Sequence, residues 1–188
     1  MRKKELIRLS ATKIIARDGF CKTKVQSIAD DAKIAVGTVY IYFKNKDGIL
    51  DYIFETQHKK IVKLSEKLES QNIPPLEKIK KILRYHFEEL RKNPDLSSVL
   101  AQEGKMPVVY GSHWMKDGFV GIPYIFEKML DESKEMGEIR DIDTELFGAI
   151  IFFAGIETAY LLQMQGKQDN NYSEFNELVT FIINGIKS

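Results

Sequence analysis

The sequence predicts an all-α protein, with a three-helix N-terminal head followed by a larger helical body. Apolar residues recur at three- and four-residue intervals through most of the 188 residues, and glycines, prolines and polar residues fall where helices so spaced would begin and end. The one run that alternates like a strand, VGTVYIYF at 36–43, has no candidate partner strand in the first 50 residues, and a strand without partners has little stability in water.

Between Arg2 and Asp18, the residues Ile7, Ala11, Ile14 and Ile15 follow the i, i+4, i+7, i+8 spacing of one helical face, and Gly19 supplies the stop. Thr23 with Gln26 three residues later has the form of a capping box, and Val25, Ile28, Ala29 and Ala32 extend a short helix over 25–32. Lys33-Ile34-Ala35 leaves room for a three-residue turn. On a helical wheel Val36, Val39, Tyr40 and Phe43 gather on one side, while Thr38 and Tyr42 lie together on another. The same run is amphipathic as a strand, so periodicity does not decide; its helical neighbours do, and helix–turn–helix is the consistent reading.

Asn45 stands where it can cap the next helix, with Asp47 in its first turn, and Leu50, Ile53, Phe54, Ile61, Leu64 and Leu68 carry that helix to Ser70. Pro74-Pro75 opens another, bearing Leu76, Ile79, Leu83, Phe87 and Leu90, which Asn93-Pro94 ends; a short helix over 95–103 follows. From Gly104 to Pro123 glycine and proline outnumber any periodic signal, which predicts an irregular, partly helical region. Helices over 124–136, 143–165 and 173–187, separated by Gly137 and by the polar run 166–171, complete the chain. The expected division is a head of residues 1–46 and a body of residues 47–188.

An apolar fraction of 44% excludes a disordered chain, and a single cysteine, Cys21, excludes an internal disulfide. The basic start Met1-Arg2-Lys3-Lys4 is not followed by an apolar run of signal-peptide length, and the tract 147–162 contains Glu157 and falls short of a bilayer span of roughly 20 residues. A cytoplasmic protein without a membrane segment is expected. The net charge of +1 averages unlike parts: residues 1–50 hold 11 Lys/Arg against 5 Asp/Glu, a net +6, so the remainder carries −5. A basic head on an acidic body points to a polyanion partner for the head alone.

A helix–turn–helix puts its second helix into the DNA major groove. Thr38 and Tyr42 offer hydroxyls on the outer face, Gly37 permits close backbone approach, Tyr40 can pack its ring and present its hydroxyl, and Lys46 heads the next helix where a phosphate could bind; Lys24 and Gln26 are further candidates. The run TKVQSIADDAKIAVGTVYIYFKNKDGIL at 23–50 resembles the N-terminal signature of the tetracycline-repressor (TetR) family of bacterial transcription regulators. Ile28-Ala29, Ala32, Val36, Gly37-Thr38-Val39-Tyr40, Tyr42-Phe43, Lys46 and Leu50 carry the resemblance at the family's spacing, within the first 50 residues. It implies DNA contacts at Gln26, Val36, Gly37, Thr38, Tyr40, Tyr42 and Lys46. Three positions depart from the pattern: Lys33 where many members have glycine, Ala35 where they have serine, and Gly48 where they have glutamate. Ala35 offers no capping side chain, a deficit of about 0.5–2 kcal/mol relative to serine. With Val36 and Gly37 at the groove-facing start, thymine-methyl contact and DNA shape are left to carry more of the specificity.

The resemblance also implies a body of six or so helices with a ligand cavity and a two-helix dimer interface, and hence a homodimer on a palindromic operator. The last two long helices are in any case too apolar to leave exposed; Phe152 on one and Phe175, Leu178, Val179, Ile182, Ile183 and Ile186 on the other are the expected dimer contacts. Tyr85, Tyr110, Trp114, Phe119 and Phe153 could line an apolar effector cavity or be core, and His86 and Glu157 could orient a ligand or be solvated. The DNA-binding segment is similar to that of fatty acyl-CoA-responsive members, which implies a long-chain acyl compound as effector. The expected function is a ligand-responsive transcriptional repressor, with the long helix from residue 47 coupling body to head. No enzyme, metal or cofactor is expected: His58, His86 and His113 lie 28 and 27 residues apart, and no nucleophile elbow, dinucleotide fingerprint or P-loop occurs. The competing reading is a helical interaction protein whose basic head binds a partner helix or a membrane surface.

Overall fold

Helical periodicity is realised through most of the described residues. The computed structural model describes residues 2–104, 121–166 and 173–188, and among these nine α-helices form: α1 Lys3–Asp18, α2 Val25–Asp31, α3 Val36–Tyr42, α4 Lys46–Glu69, α5 Pro75–Lys92, α6 Pro94–Glu103, α7 Gly121–Glu135, α8 Thr144–Met164 and α9 Ser173–Ile186. Tyr110, Trp114 and Phe119, with the irregular region expected around them, lie outside the described residues, as does most of the polar run at 166–171. An isolated antiparallel bridge joins Ile139 to Lys187, and the Arg140 N–H donates to the Ile186 carbonyl at 2.9 Å, fastening the last residues to the α7–α8 connection.

Ile7, Ala11, Ile14 and Ile15 of α1 are all buried, together with Ile28 and Ala29 of α2, Val39 of α3, Phe43, and Ile49, Leu50 and Ile53 from the first turns of α4. Each of the buried isoleucine, leucine, valine and phenylalanine side chains contributes about 1.5–3 kcal/mol when fully buried, which is how two helices of seven residues each hold their place. Asn45 caps α4 as expected, its side chain accepting from the Gly48 N–H at 2.9 Å. The capping box expected at α2 does not form. Lys24 is the N-cap, the Thr23 hydroxyl donates to the Gly19 carbonyl at 2.8 Å, and the Gln26 amide donates to Asp30 at 2.7 Å. Thr23 closes the turn after α1 instead, one residue too early to cap.

In the body α8 packs against α5, α6 and α7. Gly148 allows α8 to approach α7 closely, since a Cβ there would lie 2.7 Å from the Pro123 carbonyl oxygen and 3.0 Å from the Glu127 backbone nitrogen. The apolar tract expected to be too short for a bilayer sits in a 21-residue helix that is long and apolar enough to cross one by length and composition, with a mean hydropathy of 1.6 over an 18-residue window. Its inner face, Ile151, Phe152, Ile156 and Ala159, is nonetheless buried in the protein core. Leu146, Ile150, Leu161 and Met164 point outward.

Candidate functional site

The turn between α2 and α3 is a complete Schellman closure: the Lys33 N–H bonds to the Asp30 carbonyl at 3.1 Å and the Ile34 N–H to the Ala29 carbonyl at 3.0 Å. That geometry needs a left-handed residue, and Lys33 adopts it at φ 55° where a glycine would do so without a Cβ penalty. Ala35 precedes α3 with no side-chain cap. Val39 and Phe43 anchor α3 and Val36 is half-buried. The opposite arc presents Gly37, Ile41 and Tyr42, with Thr38 half-buried at its edge and Tyr40 54% exposed. Beside it an open groove of about 830 Å³ is lined by Lys24, Gln26, Val36, Tyr40, Lys44 and Lys46, among others.

Lys46 is committed elsewhere than its sequence position suggested. Its ammonium donates to the carbonyls of Phe20 at 2.6 Å, Thr23 at 3.0 Å and Cys21 at 3.2 Å, and lies 4.4 Å from the Phe20 ring centroid. An ammonium has three donors, so this one is saturated by backbone. The expected direct phosphate contact is not supported by this geometry; Lys46 staples the α1–α2 loop to the start of α4. On the other side of that loop the buried Glu103 carboxylate accepts from the Phe20 N–H at 3.0 Å.

In the body His86 is 4% exposed, its ring stacked 5.7 Å from Phe152, and burial pushes its pKa down to about 4 against a weaker upward pull from Glu89. The imidazole is therefore neutral at physiological pH. Its Nε2, like that of His58, is buried without a hydrogen-bond partner among the described residues, and burial also lowers the pKa of His58. Phe153 lies 5.4 Å from Phe152 and is half-buried, as are Glu157 and Tyr85, whose phenol is pushed up by burial.

The residues expected to pair across a dimer are mostly used inside the protomer. Phe152, Phe175, Val179, Ile183 and Ile186 are buried in their own chain, Phe175 stacking on Phe87 at 4.5 Å, and only Leu178 and Ile182 are half-exposed. The exposed large apolar residues of the last two helices are instead Leu146, Ile150, Leu161 and Met164 on α8 and, on α9, Phe181, which is 78% exposed.

Residues 7–53, which span this head and the first turns of α4, match the sequence profile of the tetR family of bacterial regulatory proteins. An HTH-type transcriptional regulator of Bacillus subtilis, the uncharacterised YhgD, is 30% identical over 148 residues, covering 77% of this chain and 75% of its own. The chain belongs to the TetR family. A second B. subtilis protein, the fatty acid metabolism regulator protein, is 26% identical over 178 residues, 94% of this chain and 92% of its own. Among solved structures, the transcriptional regulator FadR from B. subtilis in complex with stearoyl-CoA superimposes with a TM-score of 0.78 at 25% identity, covering 97% and 98% of the two chains.

As a TetR-family transcription regulator, with a helix–turn–helix head and a helical C-terminal body, the chain is not an enzyme. Sequence reasoning overlooked two features of its surfaces. Ile41 lies at least as far round the helical wheel from Val36, Val39 and Phe43 as Thr38 does, so its exposure was legible from spacing. His58 falls on the stripe Phe54, Ile61 and Leu68 of α4, so the half-burial of its ring was legible from spacing.

Proposed function

We propose that this TetR-family regulator is a repressor that binds palindromic operator DNA as a homodimer and is released by a long-chain acyl-CoA. The observation that carries the effector class is similarity along almost the whole chain to a regulator of fatty acid metabolism and to a structure holding stearoyl-CoA. The head, residues 1–46, reads DNA through α3, with Gly37, Thr38, Ile41 and Tyr42 toward the major groove and Lys24, Gln26 and Tyr40 flanking it. The body, residues 47–188, holds the effector near His86, Phe153, Glu157 and Tyr85 and dimerises through the outward stripe of α8 and α9. The dimer is supported because Leu146, Ile150, Leu161, Met164 and Phe181 are exposed among the described residues. The cytoplasm, where chromosomal DNA is reached, is the compartment this function requires.

The test begins with selection of genomic fragments by the purified protein at physiological salt, followed by footprinting. A recurrent palindrome protected symmetrically is expected, and stearoyl-CoA should release it while the protein stays dimeric. Coenzyme A alone should not. Binding without sequence preference would remove the operator reading, and release by coenzyme A alone would remove the acyl chain as the recognised group.

A further inference from the structure

We propose that Glu103 is a positioning residue through which α6 sets the orientation of the DNA-binding head; this rests on the reading of the chain as an effector-responsive regulator. Glu103 is the last residue of α6, is 8% exposed, and stands 83 residues from the Phe20 amide that it binds at 3.0 Å. A buried backbone N–H left without an acceptor is costly, so the Phe20 amide favours staying with Glu103 when α6 moves. Phe20 is gripped on both sides: its N–H by Glu103 and its carbonyl by Lys46, at 2.6 Å. Lys46 keeps the loop with α4, and Glu103 ties both to α6.

α6 is suited to read the state of the body. It packs on α1 of the head and also on α5 and α8, and it is hydrogen-bonded to α8 through Gln163 to Ser98 and Gln102 to Tyr160, both at 3.2 Å. A shift of α6 along α8 therefore pulls on Phe20, two residues beyond the end of α1 and five before the start of α2. Beside the covalent route through α4, the packing of α6 on α1 and the Glu103 bond connect α6 to the head directly.

Binding linkage makes the idea measurable from the DNA side. Amide exchange would be followed in the full-length protein with and without the selected operator fragment. Wild type should show α6 amides slowed by about fivefold or more on binding DNA, along with those of α3. In Glu103→Leu the α3 protection should remain while that of α6 is lost, and Glu103→Gln, whose amide oxygen still accepts, should keep both. Glu103→Ala, which leaves space for water, serves if the leucine variant melts early. Unchanged α6 exchange in wild type, or α6 protection retained when the acceptor is removed, would overturn the proposal. Stearoyl-CoA separates the two readings: if it fails to weaken operator binding while the exchange pattern holds, the acyl-CoA assignment fails and Glu103 stands. No operator binding at all would overturn both.

Discussion

Ile41 has no hydrogen-bonding side chain, yet at 79% exposure it is the most exposed of the large hydrophobic residues on the head. An isoleucine held outward between two tyrosines fits the thymine methyl, the one apolar feature of the major-groove edge. Ile41→Ala should weaken operator binding by about 1 kcal/mol, roughly fivefold, with an unchanged melting temperature, and Tyr42→Ala should do at least as much. Titration of labelled operator measures both, and unaltered affinity in both would move the reading surface off this arc. His86 offers a test of a different kind. Its pKa is depressed from 6.5 to about 4 on folding, mainly by burial, so the unfolded chain takes up the proton first as pH falls. The stabilising contribution is complete above pH 6.5 and is lost as pH falls toward 4. Relative to His86→Leu, wild type should lose about 2 kcal/mol of unfolding free energy between pH 6.5 and about 5. A difference independent of pH would mean that the imidazole is not desolvated as the fold implies.

At the scale of elements, the short helices of the head hold because polar staples complete what their small cores begin. α2 and α3 have seven residues each and lack side-chain caps; the Schellman closure at Lys33 and the Lys46 staple supply the missing restraints. Lys46→Ala should therefore destabilise the protein by about 1–3 kcal/mol and weaken operator binding through the altered loop, while the slope of log affinity against log salt stays that of wild type. A slope flatter by about one unit per half-site would return Lys46 to the phosphates. α8 illustrates the opposite situation, a helix too apolar for one face to account for. Its inner residues complete the core, and its outer ones are left without a cover among the described residues.

For the whole molecule, the exposed apolar residues of α8 and α9 and the +6 charge of the first 50 residues support the proposed assembly of two basic heads reading two half-sites. Phe181→Glu, at an exposed position, should yield a monomer by sedimentation with helical content intact and much weaker operator binding. Phe175→Ala, beneath the same helix, should instead cost about 3–5 kcal/mol of protomer stability. A Phe181→Glu protein that remains dimeric would place the interface elsewhere.

What the sequence determined by itself was local or periodic. Helix order and the ends of α3 and α4, the Asn45 cap, the recognition helix and its family were all legible, because hydrophobic spacing, capping chemistry and a short motif are written in neighbouring residues. That the apolar face of α9 is covered by its own protomer and not by a dimer partner was not, since spacing marks a face as buried without saying what buries it; packing of Phe175 on Phe87 decided it. Nor could spacing reveal that Lys46 closes on the carbonyls of Phe20, Cys21 and Thr23, or that Glu103 reaches Phe20 across 83 residues. Long-range hydrogen bonds depend on where the backbone brings donor and acceptor together, and only the tertiary structure settles that.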